Sequence, residues 1–311
     1  MRFKELGKIF DPTEHELDFS QSPQALVFDD FVRIYFSNRK KDLSGKYLSH
    51  ISYVDMDKNF KTILHVSDKT VMRLGNLGCF DEHGIFPMNV LWDGDRVLAY
   101  TGGWSRRTSV SVDGSIGLAV SSDKGETFMR VGEGPVLTSS LSEPFLVTDP
   151  FVKKIGEEYH MLYIYGKRWI DGPNQKERVY KIGHAFSRDG ITWSKTGLQL
   201  IKNKLGKNEC QALPTMIKIG TTYHMVFCYR EAIDFRTNKQ NSYRLGYAHS
   251  EDMINWIRDD SKLILKRSEE GWDSQMMCYP HLFECDKNIF LLYNGNEFGR
   301  SGFGISILEG L

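Results

Sequence analysis

A unit of about 64 residues recurs five times along the chain. In each unit a proline opens a short apolar run, a turn follows, and a second run ends in aromatic residues. These prolines are 64, 63, 64 and 66 residues apart. They are Pro23, Pro87, Pro150, Pro214 and Pro280. A repeat of this length is typical of propellers, solenoids and arrays, in which each unit buries its apolar face against its neighbours.

Each unit continues with a polar segment and a third short run, as in IGLAVSS, IGHAFSR, LGYAHSE and FGISIL. Three of these runs lead into a polar turn closed by an aromatic residue, namely SSDKGETF, SRDGITW and SEDMINW, which begin at Ser121, Ser187 and Ser250. Short runs rich in β-branched and aromatic residues indicate strands, and no long window has a helical period. We expect these turns on the face opposite the loops that enter each unit.

Four short strands per unit, repeated five times, predict one all-β domain over residues 1–311. The predicted fold is a five-bladed β-propeller with four antiparallel strands per blade and inner strands that start near the repeat prolines. The last unit ends soon after its third strand, at Leu311. We therefore expect an N-terminal strand to complete the last blade, with residues 8–10 or 17–19 as the two candidates.

Composition excludes several classes of protein. Lys+Arg and Asp+Glu both number 40, so nothing indicates a nucleic-acid or anionic-membrane partner. No apolar run has the length of a signal peptide or a membrane span, which predicts a soluble, cytoplasmic protein, and the oligomeric state stays open. Five scattered cysteines without a C-x-x-C pair predict reduced thiols and no zinc site. No cofactor is predicted, although a structural or central-channel cation stays open.

Acidic residues recur in the loops that enter the units. One lies five to seven residues before every repeat proline, and these are Asp18, Asp81, Glu143, Glu209 and Asp273. In the third unit, Asp149 also directly precedes its proline. Acidic residues are common in loops, so each one alone could be ordinary surface. Five in phase around an axis would instead meet near the mouth of one central funnel.

The loops between second and third strands should open on the same face, and long loops on a rigid scaffold often carry binding residues. Flat aromatic faces suit a sugar ring, and Arg can grip a carboxylate or phosphate with two hydrogen bonds. The candidate substrate-binding residues are Arg39, Trp104, Arg168, Trp169, Tyr229, Arg230, Asn294 and Asn296. The alternatives are a solvated rim of charge for the arginines and packing between blades for the two tryptophans. Trp193 and Trp256, in the opposite turns, are assigned to blade packing.

The five units, the inner carboxylates and the Asp149-Pro150 step resemble the glycoside hydrolase propellers of families 43, 32, 62, 68, 117 and 130. FDEHGIFP, GWDS and YNGNEFG are similar to family-43-like propellers from bacterial polysaccharide contexts. The resemblance implies action on a glycan. Family 43 has its base aspartate on the first inner strand, where this chain reads SQSP, and the family-32 motifs are absent. The roles of acid and base therefore do not transfer to particular residues.

The turn SSDKGETF also resembles the Asp box of sialidases, with Phe128 in the aromatic place. Sialidases have six blades and bind an anionic sugar through three arginines. Five units argue against membership of that family. The arginine-rich face nevertheless keeps an anionic sugar open.

The residues together predict a glycosidase that acts on a glycan or glycoconjugate. Glycoside hydrolysis uses two carboxyl groups, which lie about 6.5–9.5 Å apart in inverting enzymes. Asp81 and Glu209 are the predicted pair, and Asp273 or Asp149 would orient them or hold a substrate hydroxyl. A phosphorylase or glycosyl transferase of the same fold and a non-catalytic carbohydrate-binding propeller are the alternatives. Carboxylates beside several convergent arginines would favour phosphorolysis or an anionic substrate.

Overall fold

The computed structural model describes residues 1–310, and its regular structure is almost entirely β-strand. Within that range the helical content is three short 3-10 turns, at Pro12–His15, Asp260–Lys262 and Asn296–Gly299. Strand β1 (Arg2–Phe10) comes first. The all-β class predicted from the repeat is confirmed.

The first two units share one sheet. The strands of the first unit are β2 (Gln21–Val27), β3 (Phe31–Lys41), β4 (Tyr47–Asp57) and β5 (Ile63–Val66). Those of the second unit are β6 (Gly84–Asp93), β7 (Arg96–Arg106), β8 (Val112–Ser121) and β9 (Met129–Arg130). Neighbouring strands within each unit pair antiparallel, and a parallel pairing of Ser49 with Gly84 joins the two units. Each unit is thus a four-stranded antiparallel group.

The third and fourth units each form a separate four-stranded antiparallel sheet in chain order. The strands of the third unit are β10 (Val147–Ile155), β11 (Glu158–Asp171), β12 (Lys176–Ser187) and β13 (Ser194–Lys195). Those of the fourth are β14 (Cys210–Ile219), β15 (Thr222–Arg230), β16 (Arg244–Ser250) and β17 (Ile257–Arg258). The outermost strands, β13 and β17, are only two residues long.

The last sheet combines the two ends of the chain. Its strands are β18 (Cys278–Cys285), β19 (Asn288–Asn294), β20 (Phe303–Glu309) and the N-terminal β1. Strand β1 pairs antiparallel with β20, so that Lys4 lies opposite Ile307. The N-terminal strand predicted for the last unit is confirmed. It is longer than the first candidate, and the second candidate, residues 17–19, lies outside any strand.

Hydrophobic clusters join each unit to the next. Buried side chains of the first and second units share one cluster, and the same holds for each later pair of consecutive units. A further cluster joins the last unit to the first. It includes Phe10, Phe36, Phe283 and Phe303. Burial of large aromatic side chains between sheets is a major source of stability for such a fold.

The polar turns that follow the third strands are held by their own side chains. Ser121 Oγ donates to Asp123 Oδ1 at 2.6 Å, and the Asp123 carboxylate accepts from Thr127 N at 3.0 Å. The turn also contacts the preceding unit, because Tyr35 donates its hydroxyl hydrogen to Gly125 O at 2.7 Å. Phe128 is buried. These turns lie at the strand ends opposite the loops between second and third strands, as the antiparallel order requires.

A bulge interrupts the inner strand of every unit next to its repeat proline. The residue before the proline has a positive backbone φ of 54° in Ser22, 54° in Asp149, 46° in Leu213 and 55° in Tyr279. The fifth, Phe86, precedes a cis proline. Such φ values are uncommon for residues other than glycine, and a bulge re-aims its side chain. The position before the repeat proline therefore carries a different side chain in each of the five units.

Candidate active site in the central funnel

The in-phase acidic residues do not gather in an open funnel. Asp81, Glu143, Glu209 and Asp273 are each at most 1% exposed. Asp18, in contrast, is on the surface. None of them lines either of the two central cavities. The prediction that these acids meet at the mouth of a central funnel is therefore wrong. The reason is found in their contacts with the outer strands.

Each of three buried carboxylates forms an ion pair with a cation on the outermost strand of its own unit. Asp81 pairs with Arg130 on β9, and Glu143 pairs with Lys195 on β13 at 2.5 Å.

Glu209 pairs with Arg258 on β17 at 2.7 Å and also accepts from the backbone amides of Lys204 and Leu205. A buried carboxylate is stable only when paired and hydrogen-bonded. The repeated acids thus hold the outer strands in place, and Asp81 and Glu209 do not form a facing pair.

The last unit departs from this pattern. Asp273 accepts a hydrogen bond from the Tyr293 hydroxyl at 3.2 Å, and the outer-strand position belongs to Glu5 on β1. Glu5 lies opposite Ser306 just as Lys195 lies opposite Ala185. Partial desolvation and the nearby charge of Asp273 raise the pKa of the Glu5 carboxyl, although the residue is exposed. Two acids therefore face each other where the other units have an acid and a base.

Asp149 has a different environment from the other predicted acids. It is 3% exposed and lines the first central cavity. Its Oδ2 accepts from the Leu213 amide at 3.2 Å. Burial raises the pKa of Asp149 to about 7, although the Leu213 amide, the charge of Arg178 and the Thr148 hydroxyl oppose the increase. The group is thus poised to hold or release a proton near neutral pH.

The first cavity has a volume of about 300 Å³ and lies at the inner strands. Four of the five bulge residues line it: Phe86, Asp149, Leu213 and Tyr279. Its wall also contains Arg39, Tyr47, Trp104, Asp113, Arg178, Tyr180 and Tyr243. Aromatic faces with a few polar groups are typical of small-molecule sites.

A second cavity of about 300 Å³ adjoins the first. The two cavities share Arg39, Arg178, Tyr180, Tyr243 and Tyr279. The second adds three more arginines and one carboxylate, which are Arg230, Arg236, Arg300 and Glu297. This part of the funnel is therefore strongly cationic.

The predicted substrate-binding residues divide between the cavities and the scaffold. Arg39, Trp104 and Arg230 line the cavities. Arg168 lines neither of them and donates to Lys207 O and Asn208 Oδ1, both at 2.7 Å.

The other four are also absent from both cavity walls. Trp169 packs against the cluster of the third and fourth units, and Tyr229 is buried beneath the Arg258 guanidinium, 4.3 Å from its ring centre. Asn294 and Asn296 are buried, and their side chains accept from the backbone amides of Ser22 and Gln275. The binding role predicted for these four is corrected to a structural one, because their polar groups are already satisfied or their rings are packed.

Sequence reasoning missed several residues of the funnel wall. Tyr47, Asp113, Arg178, Tyr180, Tyr243 and Tyr279 were not among the candidates. The residue before each repeat proline could have pointed to Tyr279 and Phe86, because the same position holds Asp149. The others lie on third strands or, for Tyr243, directly before one, where the repeat does not show which side chains face the axis.

Comparison with known proteins places the chain in a family. No protein-family model matches the sequence. The chain is 33% identical over 315 aligned residues to the uncharacterized proteins MT1551 and Rv1502 of Mycobacterium tuberculosis, with 99% of this chain and 100% of each relative covered. The chain belongs to their family. The names of these family members state no activity.

Several solved structures are similar to this chain in fold, at low sequence identity. BT0996 in its RGII complex has a TM-score of 0.71 and 17% identity, covering 97% of this chain and 90% of that protein. A thermostable family-43 glycoside hydrolase gives 0.65 and 14%, covering 93% and 88%. The β-1,2-mannobiose phosphorylase of Listeria innocua gives 0.69 and 13%, covering 98% and 96%. This chain thus has the β-propeller fold of these solved structures.

Two features are absent from the part of the chain that the structure describes. Over residues 1–310, no helix has the length and hydrophobicity needed to cross a membrane. Within the same range, no group of three His, Cys, Asp or Glu side chains is close enough together to hold a metal ion.

Proposed function

We propose that the first cavity cleaves a glycosidic bond and that Asp149 donates a proton to the leaving oxygen. Glycoside cleavage needs an acid that is still protonated near neutral pH. Asp149 is buried in the cavity wall, and its pKa is raised to about 7. This observation carries the proposal, because a carboxyl of ordinary pKa would have lost its proton under those conditions.

The scaffold that we infer for this site is a propeller of five blades, one for each unit. The clusters between consecutive units, and the cluster between the last unit and the first, support a closed ring. Pairing of β1 with β20 would close it. In such a ring the five bulges surround the axis, which is where the first cavity would bind the sugar.

Hydrolysis also needs a carboxylate that activates water. We assign this role to Asp113, which lines the same cavity as Asp149. Its side chain is 36% exposed and pairs with Arg107. Contact with solvent gives it access to water. Asp113 thus replaces Asp81 and Glu209 as the proposed partner of the acid.

Phosphorolysis is the second candidate. Phosphate can attack the sugar itself, so Asp149 would need no second carboxylate. The arginine-rich wall favours this reaction, since guanidinium groups bind phosphate with paired hydrogen bonds. The similarity in fold to the Listeria innocua β-1,2-mannobiose phosphorylase also supports phosphorolysis as a candidate.

Turnover of a glycan panel, with and without phosphate, tests the proposal. Asp149→Asn preserves the acceptor for the Leu213 amide but cannot donate a carboxyl proton. We expect turnover to fall by about 10²- to 10⁴-fold, the usual contribution of general acid catalysis. Asp189→Asn, in a turn of the opposite face, is the matched control and should keep its turnover. Full turnover by Asp149→Asn would overturn the role of this residue.

A further inference from the structure

Three guanidinium groups at the second cavity have no carboxylate partner among residues 1–310. Arg39, Arg178 and Arg230 all line this cavity, and none forms a salt bridge with another residue in the range 1–310. Arg178 donates to the Ser111 hydroxyl at 3.3 Å, and Arg230 donates to the carbonyl of Glu231 at 2.7 Å. Asp149 is near enough to Arg178 for its pKa to respond to that charge, but it forms no ion pair with Arg178.

Burial makes unpaired guanidinium charges costly. Arg230 is 2% exposed, and its Nε has no hydrogen-bond partner among the described residues. The Nε of Arg39 is likewise buried and unpartnered within that part of the chain. A buried donor left unsatisfied destabilises the protein, and more so when the group is charged. Two such donors at one cavity indicate that an acceptor belongs there.

The neighbouring acids are already engaged. Glu297 lies 3.6 Å from Arg300, and Glu177 lies 3.1 Å from Arg236. Burial and the positive charges of Arg178 and Arg236 lower the pKa of Arg39, whereas nearby tyrosines oppose the decrease. The guanidinium groups thus repel one another across the cavity.

Aromatic rings hold several of these arginines in place. Phe235 lies under two guanidinium groups, with Arg230 Cζ 3.4 Å and Arg236 Cζ 4.1 Å from the ring centre. Phe19 similarly contacts Arg39 at 5.3 Å and Arg300 at 4.9 Å. Stacking on aromatic rings fixes the planar groups before a ligand arrives, so less conformational entropy is lost on binding.

We propose that the second cavity is an oxyanion subsite formed by Arg39, Arg178 and Arg230. Its ligand would be a carboxylate or phosphate group, carried by the substrate sugar or supplied as free phosphate. The buried Gln21 Oε1, which also lacks a partner in residues 1–310, lines the cavity and would accept from a hydroxyl beside the anion. The proposal rests on the proposed function, since the subsite would hold the substrate with its scissile bond at Asp149.

Binding of simple anions tests the subsite without turnover. The full chain carrying Asp149→Asn would be titrated calorimetrically, at constant ionic strength, with inorganic phosphate, D-glucuronate and D-glucose. We expect phosphate or glucuronate to bind and glucose to bind more weakly. Tighter binding of glucuronate indicates an anion carried by the sugar, and tighter binding of phosphate indicates free phosphate.

The arginine variants locate the bound anion. Arg178→Gln, at a half-buried position, should weaken anion binding by about 10- to 100-fold. Arg39→Gln should have a similar effect, and a thermal melt would verify that both variants fold. Arg188→Gln, at a side chain that is 90% exposed, is the control and should bind like the parent.

The subsite would be overturned if neither anion binds, or if both arginine variants bind as tightly as the parent. Loss of turnover in Asp149→Asn tests the proposed function independently of these results. A protein that binds the anions but never cleaves a glycan would retain the subsite and lose the proposed reaction.

Discussion

Asp149 and the acids of the entering loops look alike in the sequence but differ in the structure. Glu143 and Glu209 are buried against cations of the outer strands. Asp149 is equally buried but has no ion-pair partner in the described residues, and a bulge places it at the central cavity. Three of the acids in phase with the repeat, Asp81, Glu143 and Glu209, hold outer strands by ion pairs. The acid found in one unit alone is the candidate for chemistry.

The third and last units show the same contrast on a smaller scale. In the third, Lys195 and the Tyr163 hydroxyl both bond to Glu143. In the last, Tyr293 bonds to Asp273, but a glutamate stands in place of the lysine. The outer strand of the last sheet comes from the N-terminus and not from the end of its own unit. At the position of Lys195 this strand has Glu5, so the stabilising cation is missing there.

The largest expected effect is the dependence of turnover on pH through the protonation of Asp149. Its pKa is raised to about 7, and the proposed acid must be protonated. Turnover should therefore fall about tenfold for each pH unit above that value. A pH profile of kcat/KM on a cleaved glycan checks this. A flat profile between pH 6 and about 9 would separate Asp149 from the chemistry.

Breaking an ion pair of the outer strands should affect stability alone. Arg258→Met leaves the fully buried Glu209 without its cation, which typically costs about 3–5 kcal/mol. Urea unfolding measures the change. Arg188→Met, at an exposed pair with Glu158, is the control and should cost less than about 1 kcal/mol. Equal effects of the two substitutions would contradict the structural role of the buried pair.

Asp149 should also reduce stability at high pH. Its pKa in the folded state is raised above the value in the unfolded chain, so its stabilising effect is complete below about pH 4 and is lost as pH rises through about 7. Asp149→Asn cannot ionise and should melt at a higher temperature than the wild type at pH 8. The difference should shrink at pH 5. A variant that melts lower at both pH values would show that the carboxyl is structural.

Restoring the missing cation of the last unit should stabilise it modestly. Glu5→Lys would imitate Lys195, and we expect a gain of about 0.5–1 kcal/mol in the free energy of unfolding, limited by the exposure of this position. Glu157→Lys, an exposed substitution with the same change in charge, controls for net charge. A gain no greater than that of the control would mean that Glu5 and Asp273 do not interact.

The smallest effect is expected in the turns of the opposite face. Asp123→Asn weakens hydrogen bonds to Ser121 and Thr127 and should cost about 1 kcal/mol or less. Glycan binding should be unchanged, because the turn lies at the other end of the strands. Weaker binding at an unchanged melting temperature would count against this separation of the two faces.

Much of the fold could be predicted because short stretches of sequence determine it. The proline spacing, the short apolar runs and the polar turns identify the units and the order of their strands, and the incomplete last unit predicts the use of the N-terminus. The candidate site was harder to predict from the sequence. Of four predicted acids, Asp149 lines the central cavity, whereas Asp81, Glu209 and Asp273 are enclosed within their units.

The sequence by itself determined the repeat and therefore the strands, because alternation, prolines and turns act over a few residues. It could not determine which way each acid faces. Glu209 meets Arg258 from 49 residues away, and Asp149 is aimed by a bulge and held by Leu213, which is 64 residues distant. Such contacts form only when the sheets pack together, so the tertiary structure decided which carboxylate is tied down and which is available for chemistry.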